Sequence, residues 1–375
     1  MIYFDNAATT RIKPEEVYQA YNYYIREIGV SPGRGSYSLG IQASRMLYQA
    51  RKMVAHFFGA SKSANVVFTK NSTEAINLYL NGLLKKGDHV LITPYEHNAV
   101  FRPINLLKQK GIIDYTVLPE DVIYNYPEKI EEFIQANTKL IVLTLASNLT
   151  GQIVFNDRVA EEAQKRDIQV FVDASQGGGK RLIQMNRDHI DAIAFTGHKD
   201  LMALPGVGGL CTRKSLDIAP LLQGGTGIFG DSYVNPDVYP DAYEAGTLNM
   251  PAIWSLKTSI EYIEKNFNVI SEKEKRLMAL LIEGLTKNSE VIIYNAERAR
   301  VSTICFNIKG VTSNKVVEFL DSQNICVRGG IHCAILAHET IGTVQTGAVR
   351  VSLNHFNTED EIKTFLEVLK RIKCI

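Results

Sequence analysis

A carboxylate that closes one apolar strand and a lysine that closes another are the first residues to invite a chemical reading. Asp173 ends the run Phe171-Val172-Asp173 and leads into Ala174-Ser175-Gln176, and Lys199 stands in Thr196-Gly197-His198-Lys199-Asp200 after the apolar stretch 192–195. A third segment, Thr69-Lys70-Asn71-Ser72-Thr73-Glu74, places two hydroxyls where a strand gives way to a helix, with Asn71 as N-cap and Glu74 three residues on, as in a capping box. Each has a plainer reading alone: a loop anchor, a solvent-facing lysine, a helix cap. Taken together they supply a partner for a protonated ring nitrogen, an amine able to form a Schiff base, and a helix start able to hold a phosphate. Those are the three requirements of pyridoxal 5′-phosphate.

The cysteines divide by neighbourhood. Cys211, Cys305 and Cys326 lie in apolar, strand-like runs where a buried, inert thiol is expected, and Cys374 is near the end of the chain. Cys333 differs, because Arg328-Gly329-Gly330-Ile331-His332-Cys333 is glycine-rich and basic, a setting that exposes a thiol and lowers its pKa. Arg350 reads as the end of a strand, where a planar two-pronged donor suits a carboxylate and a surface ion pair is the structural alternative. His97, in Tyr95-Glu96-His97-Asn98, reads by itself as an exposed histidine at a helix start.

These groups need a frame. Short apolar runs at 66–68, 89–92, 140–143, 170–173, 192–195 and 209–211 alternate with segments of helical period, the pattern of a largely parallel sheet with helices on both faces. In such sheets ligands gather beyond the carboxyl ends of the strands, so the residues after each run are expected to share one crevice. From 251 to 286 the pattern turns helical, with Pro251 in the first turn and Ile253, Leu256, Ile260 and Ile263 on one stripe. Strands near 301–308, 325–328 and 349–353 and helices near 314–321 and 358–370 then read as a smaller α+β unit. The stretches 223–227 and 231–241 read as exposed loops.

Composition narrows the class. A chain of 375 residues is long for one ordinary core, and about two domains are expected. Forty-one basic against forty acidic residues leave a net charge of +1, which provides no global field for nucleic acid or an acidic membrane. The apolar runs are too short to span a bilayer, and the N-terminal Met1-Ile2-Tyr3-Phe4-Asp5 lacks the regions of a signal peptide, so the expected location is the cytoplasm. Five cysteines without a CxxC pair fit neither a disulfide framework nor a zinc ribbon, and no metal is expected.

The string VDASQ, followed by FTGHKDL and PGVGGL, resembles the cofactor core of class V aminotransferase-fold enzymes, specifically the cysteine desulfurases and selenocysteine lyases. Further resemblances run in order along nearly the whole chain: YFDNAATT, FTKNSTEAINL, YEHNA, ASNLTGQ, YEAGTLN, VRGGIHCA and VRVSLNHFNT. The short interval from Cys333 to Arg350 is similar to the group whose cysteine sits on a short, ordered loop. The implied fold is α/β, an aspartate aminotransferase-like PLP-dependent transferase. Its large domain, with a mostly parallel mixed sheet, covers 15–255, and its smaller α+β domain is formed by 1–14 with 256–375.

The resemblance also implies roles. Lys199 is the Schiff-base lysine, Asp173 pairs with the pyridine nitrogen, Gln176 approaches the phenolic oxygen, and His97 stacks on the ring. Ser72, Thr73 and His198 hold the phosphate with Thr196 nearby, while Thr247 is the residue donated by the other subunit of a homodimer. Asn148 lies beside the cofactor hydroxyl and the substrate carboxylate, Arg350 clamps that carboxylate, and Arg328 assists. The thiolate of Cys333 attacks the sulfur of L-cysteine, becomes a persulfide and leaves L-alanine. L-Selenocysteine is the alternative substrate, and an aminotransferase or epimerase with an idle Cys333 is the alternative within the fold. A sulfur-acceptor protein is a further expected partner. Two features depart from the pattern: the segment 334–340 after the thiol, and Gln152, where a small hydroxyl residue commonly follows the glycine.

Overall fold

Successive residues of the central strands serve opposite cores. Leu140 and Val142 pack in one buried cluster and Ile141 and Leu143 in another, as do Phe171 and Ala194 against Val170, Val172 and Ile193. Because side chains alternate across a strand, a sheet covered on both faces needs continuous apolar runs, and this explains why these strands were legible. The computed structural model describes residues 1–372 apart from Arg34, Leu216 and Phe229, so Cys374 lies outside the described residues.

In chain order the elements are β1 (Ile2–Tyr3), α1 (Glu15–Tyr23), α2 (Ser38–Phe58), β2 (Val66–Thr69), α3 (Ser72–Leu83), β3 (Asp88–Ile92), α4 (Asn98–Gln109), β4 (Ile113–Val117), α5 (Glu120–Tyr124), β5 (Thr138–Thr144) and α6 (Asp157–Gln164). They continue with β6 (Gln169–Asp173), β7 (Ala192–Thr196), β8 (Gly208–Thr212), α7 (Met250–Thr286), β9 (Val291–Ile293), β10 (Thr303–Ile308) and α8 (Ser313–Ser322). The last are β11 (Ile325–Cys326), β12 (Arg328–Gly330), α9 (Ile335–Thr340), β13 (Ala348–Ser352) and α10 (Glu359–Leu369).

Seven strands form the main sheet in the order β2-β8-β7-β6-β5-β3-β4. Strand β8 is antiparallel to both neighbours and the other pairings are parallel, so the sheet is mixed but mostly parallel. Helices α2 and α6 and the first half of α7 cover one face, while α3 and α4 cover the other. The smaller sheet, β12-β13-β10-β9, is antiparallel throughout. Its core takes Leu277, Leu281 and Leu285 of α7, Phe365 of α10 and, from the start of the chain, Phe4. Strand β1 pairs in parallel with β11, which ties the N-terminal segment to this smaller unit.

Helix α7 is capped by the Asn249 side chain and carries Pro251 in its first turn, where a missing N–H costs nothing. Its Leu256, Ile260 and Ile263 pack in the large core and its last turns in the small one, so the division expected at 255/256 falls inside a continuous helix. Among the described residues no helix is long and apolar enough to cross a membrane.

Candidate functional site

Strands β2, β3, β5, β6 and β7 all run in one direction, so their carboxyl ends lie along the same edge of the main sheet. At the end of β6, Asp173 is almost fully buried, and its Oδ1 accepts from the backbone N–H and the hydroxyl of Ser175 at 2.9 and 2.5 Å. Oδ2 accepts no hydrogen bond among the described residues. Gln176 donates to the carbonyl of Ala7 at 2.7 Å, which fixes its amide. At the end of β7, the amine of Lys199 is held below the usual lysine range; burial is the main cause, Asp173 opposes it, and Arg350 adds to it.

The helix start at α3 behaves as expected in one half. Asn71 accepts from the N–H of Glu74 at 3.0 Å, but the Glu74 carboxylate takes the N–H of Lys70 at 2.6 Å, one residue before the cap, so the capping box is displaced. Ser72 is buried and Thr73 exposed. The close approach of this turn to the sheet depends on Gly208, where a Cβ would lie 2.7 Å from the Asn71 backbone. Thr247 is exposed and lines a cleft of about 550 Å³ with Lys70, Asn71 and His198 of its own chain.

His97 caps α4. Its Nδ1 accepts from the N–H of Ala99 at 3.0 Å, so in the neutral ring Nε2 carries the proton. Burial, then Lys199, pushes its pKa down to about 4, with Asp173 opposing and Arg328 and Arg350 adding. His97 therefore feels Lys199, Asp173, Arg328 and Arg350 at once. His198 is likewise pushed down to about 4, mainly by burial.

Cys333 is exposed, and it and His332 both hold φ of +55°, a conformation unfavourable for side chains other than glycine. Their two carbonyls are both taken: Asn148 Nδ2 donates to His332 and the backbone N–H of Asn98 to Cys333, each at 2.8 Å. The thiol is thereby hung between the residues after β5 and the start of α4. Arg328, half-buried on β12, pairs across the ladder with Arg350.

Arg350 corrects its expected place. It lies at the centre of β13, not at a strand end, and is 1% exposed, so it makes no surface ion pair. Nη1 donates to the Asn148 carbonyl at 2.9 Å and Nη2 to Asp5 Oδ1 at 2.6 Å, while Nε is buried without a partner. Cys211 and Cys305 are buried, and burial pushes the Cys305 thiol up to about 12. Cys326 is only half-buried, because the two-stranded β1–β11 pairing leaves it an open side.

Several contributing residues were not singled out from sequence. Asp5 holds Arg350, and the segment after it forms a strap: the hydroxyls of Thr9 and Thr10 donate to the His198 carbonyl at 3.2 and 3.0 Å. The signal was present in YFDNAATT. Glu96, beside His97, is buried; its Oε1 accepts from the Thr93 hydroxyl at 2.6 Å and the Thr144 N–H at 2.9 Å, while Oε2 has no partner. Burial raises its pKa to about 8.

Asn148 Oδ1 and Thr196 Oγ1 are also buried without a hydrogen-bond partner among the described residues. Buried polar atoms are otherwise almost always satisfied. Two such atoms, with an unengaged carboxylate oxygen and a buried lysine amine whose pKa is lowered, fit a polar, ring-bearing aldehyde such as pyridoxal 5′-phosphate.

The chain matches the family described as aminotransferase class-V over residues 2–365. It belongs to the class V aminotransferase family. Among its relatives in that family, the "Probable cysteine desulfurase" of Methanothermobacter thermautotrophicus is 32% identical, over 99% of this chain and 94% of that protein. The cysteine desulfurase of Serratia proteamaculans is 30% identical, over 100% and 93%. Among solved structures, the apo cysteine desulfurase from Thermococcus onnurineus NA1 superposes with a TM-score of 0.90 at 32% identity, covering 98% of this chain and 94% of that one. The Escherichia coli cysteine desulfurase CsdA in an S-sulfonic acid form gives 0.87 at 25% identity, covering 98% and 94%. This class V member thus shares its fold with desulfurases across nearly its whole length.

Proposed function

We propose that the protein is a pyridoxal 5′-phosphate-dependent cysteine desulfurase that converts L-cysteine to L-alanine and retains the sulfur on Cys333. The observation that carries this is the exposed thiol of Cys333, held beside His97 and Asn148 by two backbone-directed hydrogen bonds. The bound cofactor would supply the electron sink that eases loss of the substrate's Cα proton.

The rest falls to the chain's own residues. Lys199 would carry the cofactor, and once freed from it by the substrate its amine, whose pKa burial lowers, would take and return a proton at Cα. Asp173 would pair with the pyridine nitrogen, and Gln176, Asn148, Thr196 and His97 would help to hold the ring. Ser72, Thr73 and His198 would take the phosphate. Arg350, with Arg328 nearby, would hold the substrate carboxylate, a role suited to a buried guanidinium already aimed by Asp5 and Asn148. The Cys333 thiolate attacks the substrate Sγ: an S–S bond forms, the Cβ–Sγ bond breaks, and the pair left at Cβ takes a proton to complete alanine.

The working form on this reading is a cytoplasmic homodimer, with Thr247 contributing to the partner's phosphate site. An exposed Cys333 leaves the persulfide open to an acceptor protein. The test is alanine formation from L-cysteine and from L-selenocysteine by wild type and Cys333→Ala. Loss with cysteine supports the reading. Equal turnover of cysteine by both proteins refutes it, and a wild type that turns over selenocysteine but not cysteine is a selenocysteine lyase instead.

A further inference from the structure

Behind the crevice, Lys180 joins three parts of the molecule. Its Nζ lies 3.3 Å from Asp200 Oδ1 and 3.1 Å from Glu274 Oε2, and donates to the carbonyl of Leu353 at 3.0 Å. Asp200 directly follows Lys199, Glu274 belongs to the second half of α7, and Leu353 follows β13, which carries Arg350. The other oxygen of Asp200 accepts the backbone N–H of Gly177 at 2.5 Å, the residue after Gln176. Ser302 donates its hydroxyl to Glu274.

The three side chains are 10%, 4% and 7% exposed. Burial by itself would discharge Lys180, but Asp200 and Glu274 more than reverse that and hold its pKa above the usual lysine value. Lys180 and Glu274 also line a cavity of about 570 Å³ bounded by α7 and residues 296–302, which does not include Lys199. The cluster therefore acts on the crevice through Asp200 and not by touching a reacting atom.

We propose that Lys180 is a positioning residue for Lys199: it neutralises the carboxylate that follows the reactive amine and ties the Lys199 and Gln176 turns to α7 and β13. This rests on the reading of Lys199 as the cofactor-bearing lysine. The charged groups acting on Lys199 are Asp173 and Asp200, which favour its protonated form, and Arg350 and Arg328, which oppose it. His97 and His198 also lie close, and both are neutral near pH 7. On the far side, His355 is kept neutral by burial, by Lys273 and by Lys180 itself. Of the two carboxylates acting on Lys199, Asp200 alone is balanced by a lysine outside the crevice. Removing that lysine leaves Asp200 free to stabilise a proton on the Lys199 nitrogen.

The experiment titrates the visible absorbance of the protein loaded with pyridoxal 5′-phosphate against pH. Lys180→Met is expected to move the midpoint upward by about one pH unit, and adding Asp200→Asn to bring it back. Glu274→Gln, which leaves Lys180 to Asp200 alone, is expected to move it downward, and decides the matter if Lys180→Met does not fold. A midpoint unmoved or lowered in Lys180→Met, or unmoved or raised in Glu274→Gln, overturns the proposal; lost thermal stability with an unmoved titration makes Lys180 a structural tie only. Failure of the wild type to develop the absorbance would instead refute the cofactor reading.

Discussion

The backbone N–H of Asn98 donates to the carbonyl of Cys333 at 2.8 Å, one residue along the chain from His97. The candidate nucleophile and the candidate stacking imidazole are thus set by adjacent backbone groups, although the sequence separates them widely. With Asn148 holding the neighbouring carbonyl, the loop pays for its two left-handed residues through fixed bonds. The exposed thiol should be the most reactive described cysteine. A bulky thiol reagent is expected to label Cys333 first, Cys326 slowly, and Cys211 and Cys305 only on unfolding, as read by peptide mass spectrometry. Faster labelling of Cys326 would contradict this geometry.

Arg350 makes a direct kinetic prediction. A lysine cannot reproduce two parallel donors at a buried site, so Arg350→Lys should raise the KM for cysteine roughly 10- to 100-fold, the worth of one or two charge-assisted hydrogen bonds. Cofactor uptake should be unchanged. Asp5→Asn, which leaves Arg350 charged but less firmly aimed, should show a smaller rise in the same direction. An unaltered KM in Arg350→Lys would remove the arginine from the carboxylate site.

Glu96 gives a pH signature. Its folded pKa of about 8 lies above the ordinary 4.5, so the stability associated with its neutral form is fully present below 4.5 and lost as pH rises through about 8. Glu96→Gln stays neutral throughout. The Tm difference, variant minus wild type, should therefore grow more positive from about pH 5 to about pH 9. A flat difference would show that Glu96 is charged in the folded protein.

Gly151 carries the loop that presents Asn148. It holds φ of +74°, and an added Cβ would lie 1.9 Å from the Thr303 carbonyl oxygen of the small sheet. Both strain and overlap oppose substitution, so Gly151→Ala should cost roughly 2–4 kcal/mol and lower activity with it. Thermal unfolding measures the cost, and a loss under about 0.5 kcal/mol, typical of an unremarkable surface change, would contradict the close approach.

Much of the large sheet was legible because its strands are buried on both faces and so carry unbroken apolar runs. Strand β4 was not, since Asp114 is exposed on an edge where burial does not enforce the pattern. Arg350 read as a strand end because a charged residue rarely sits inside a ladder; the structure keeps it there by supplying Asp5 and the Asn148 carbonyl, partners far away in the chain. The string YFDNAATT marked the N-terminal strap but not its partners, because its bonds are long-range and run largely to backbone carbonyls. Gln152 looked like a departure and proves to be a built contact: it is fully buried, donates to the Tyr124 hydroxyl at 2.6 Å and accepts from Asn295. The segment after the thiol, which also departed from the pattern, forms α9. There His338 bonds Thr343 at 2.7 Å, and its ring is stacked on His332 at 5.9 Å between centroids.

The central claim is that sulfur passes from cysteine to Cys333. Peptide mass spectrometry of the cofactor-loaded protein after turnover with L-cysteine, without reductant, tests it most directly. The account predicts one added sulfur atom on the peptide containing Cys333, formed together with alanine. Alanine formed while that peptide stays unmodified, or sulfur found only on Cys326, would contradict it.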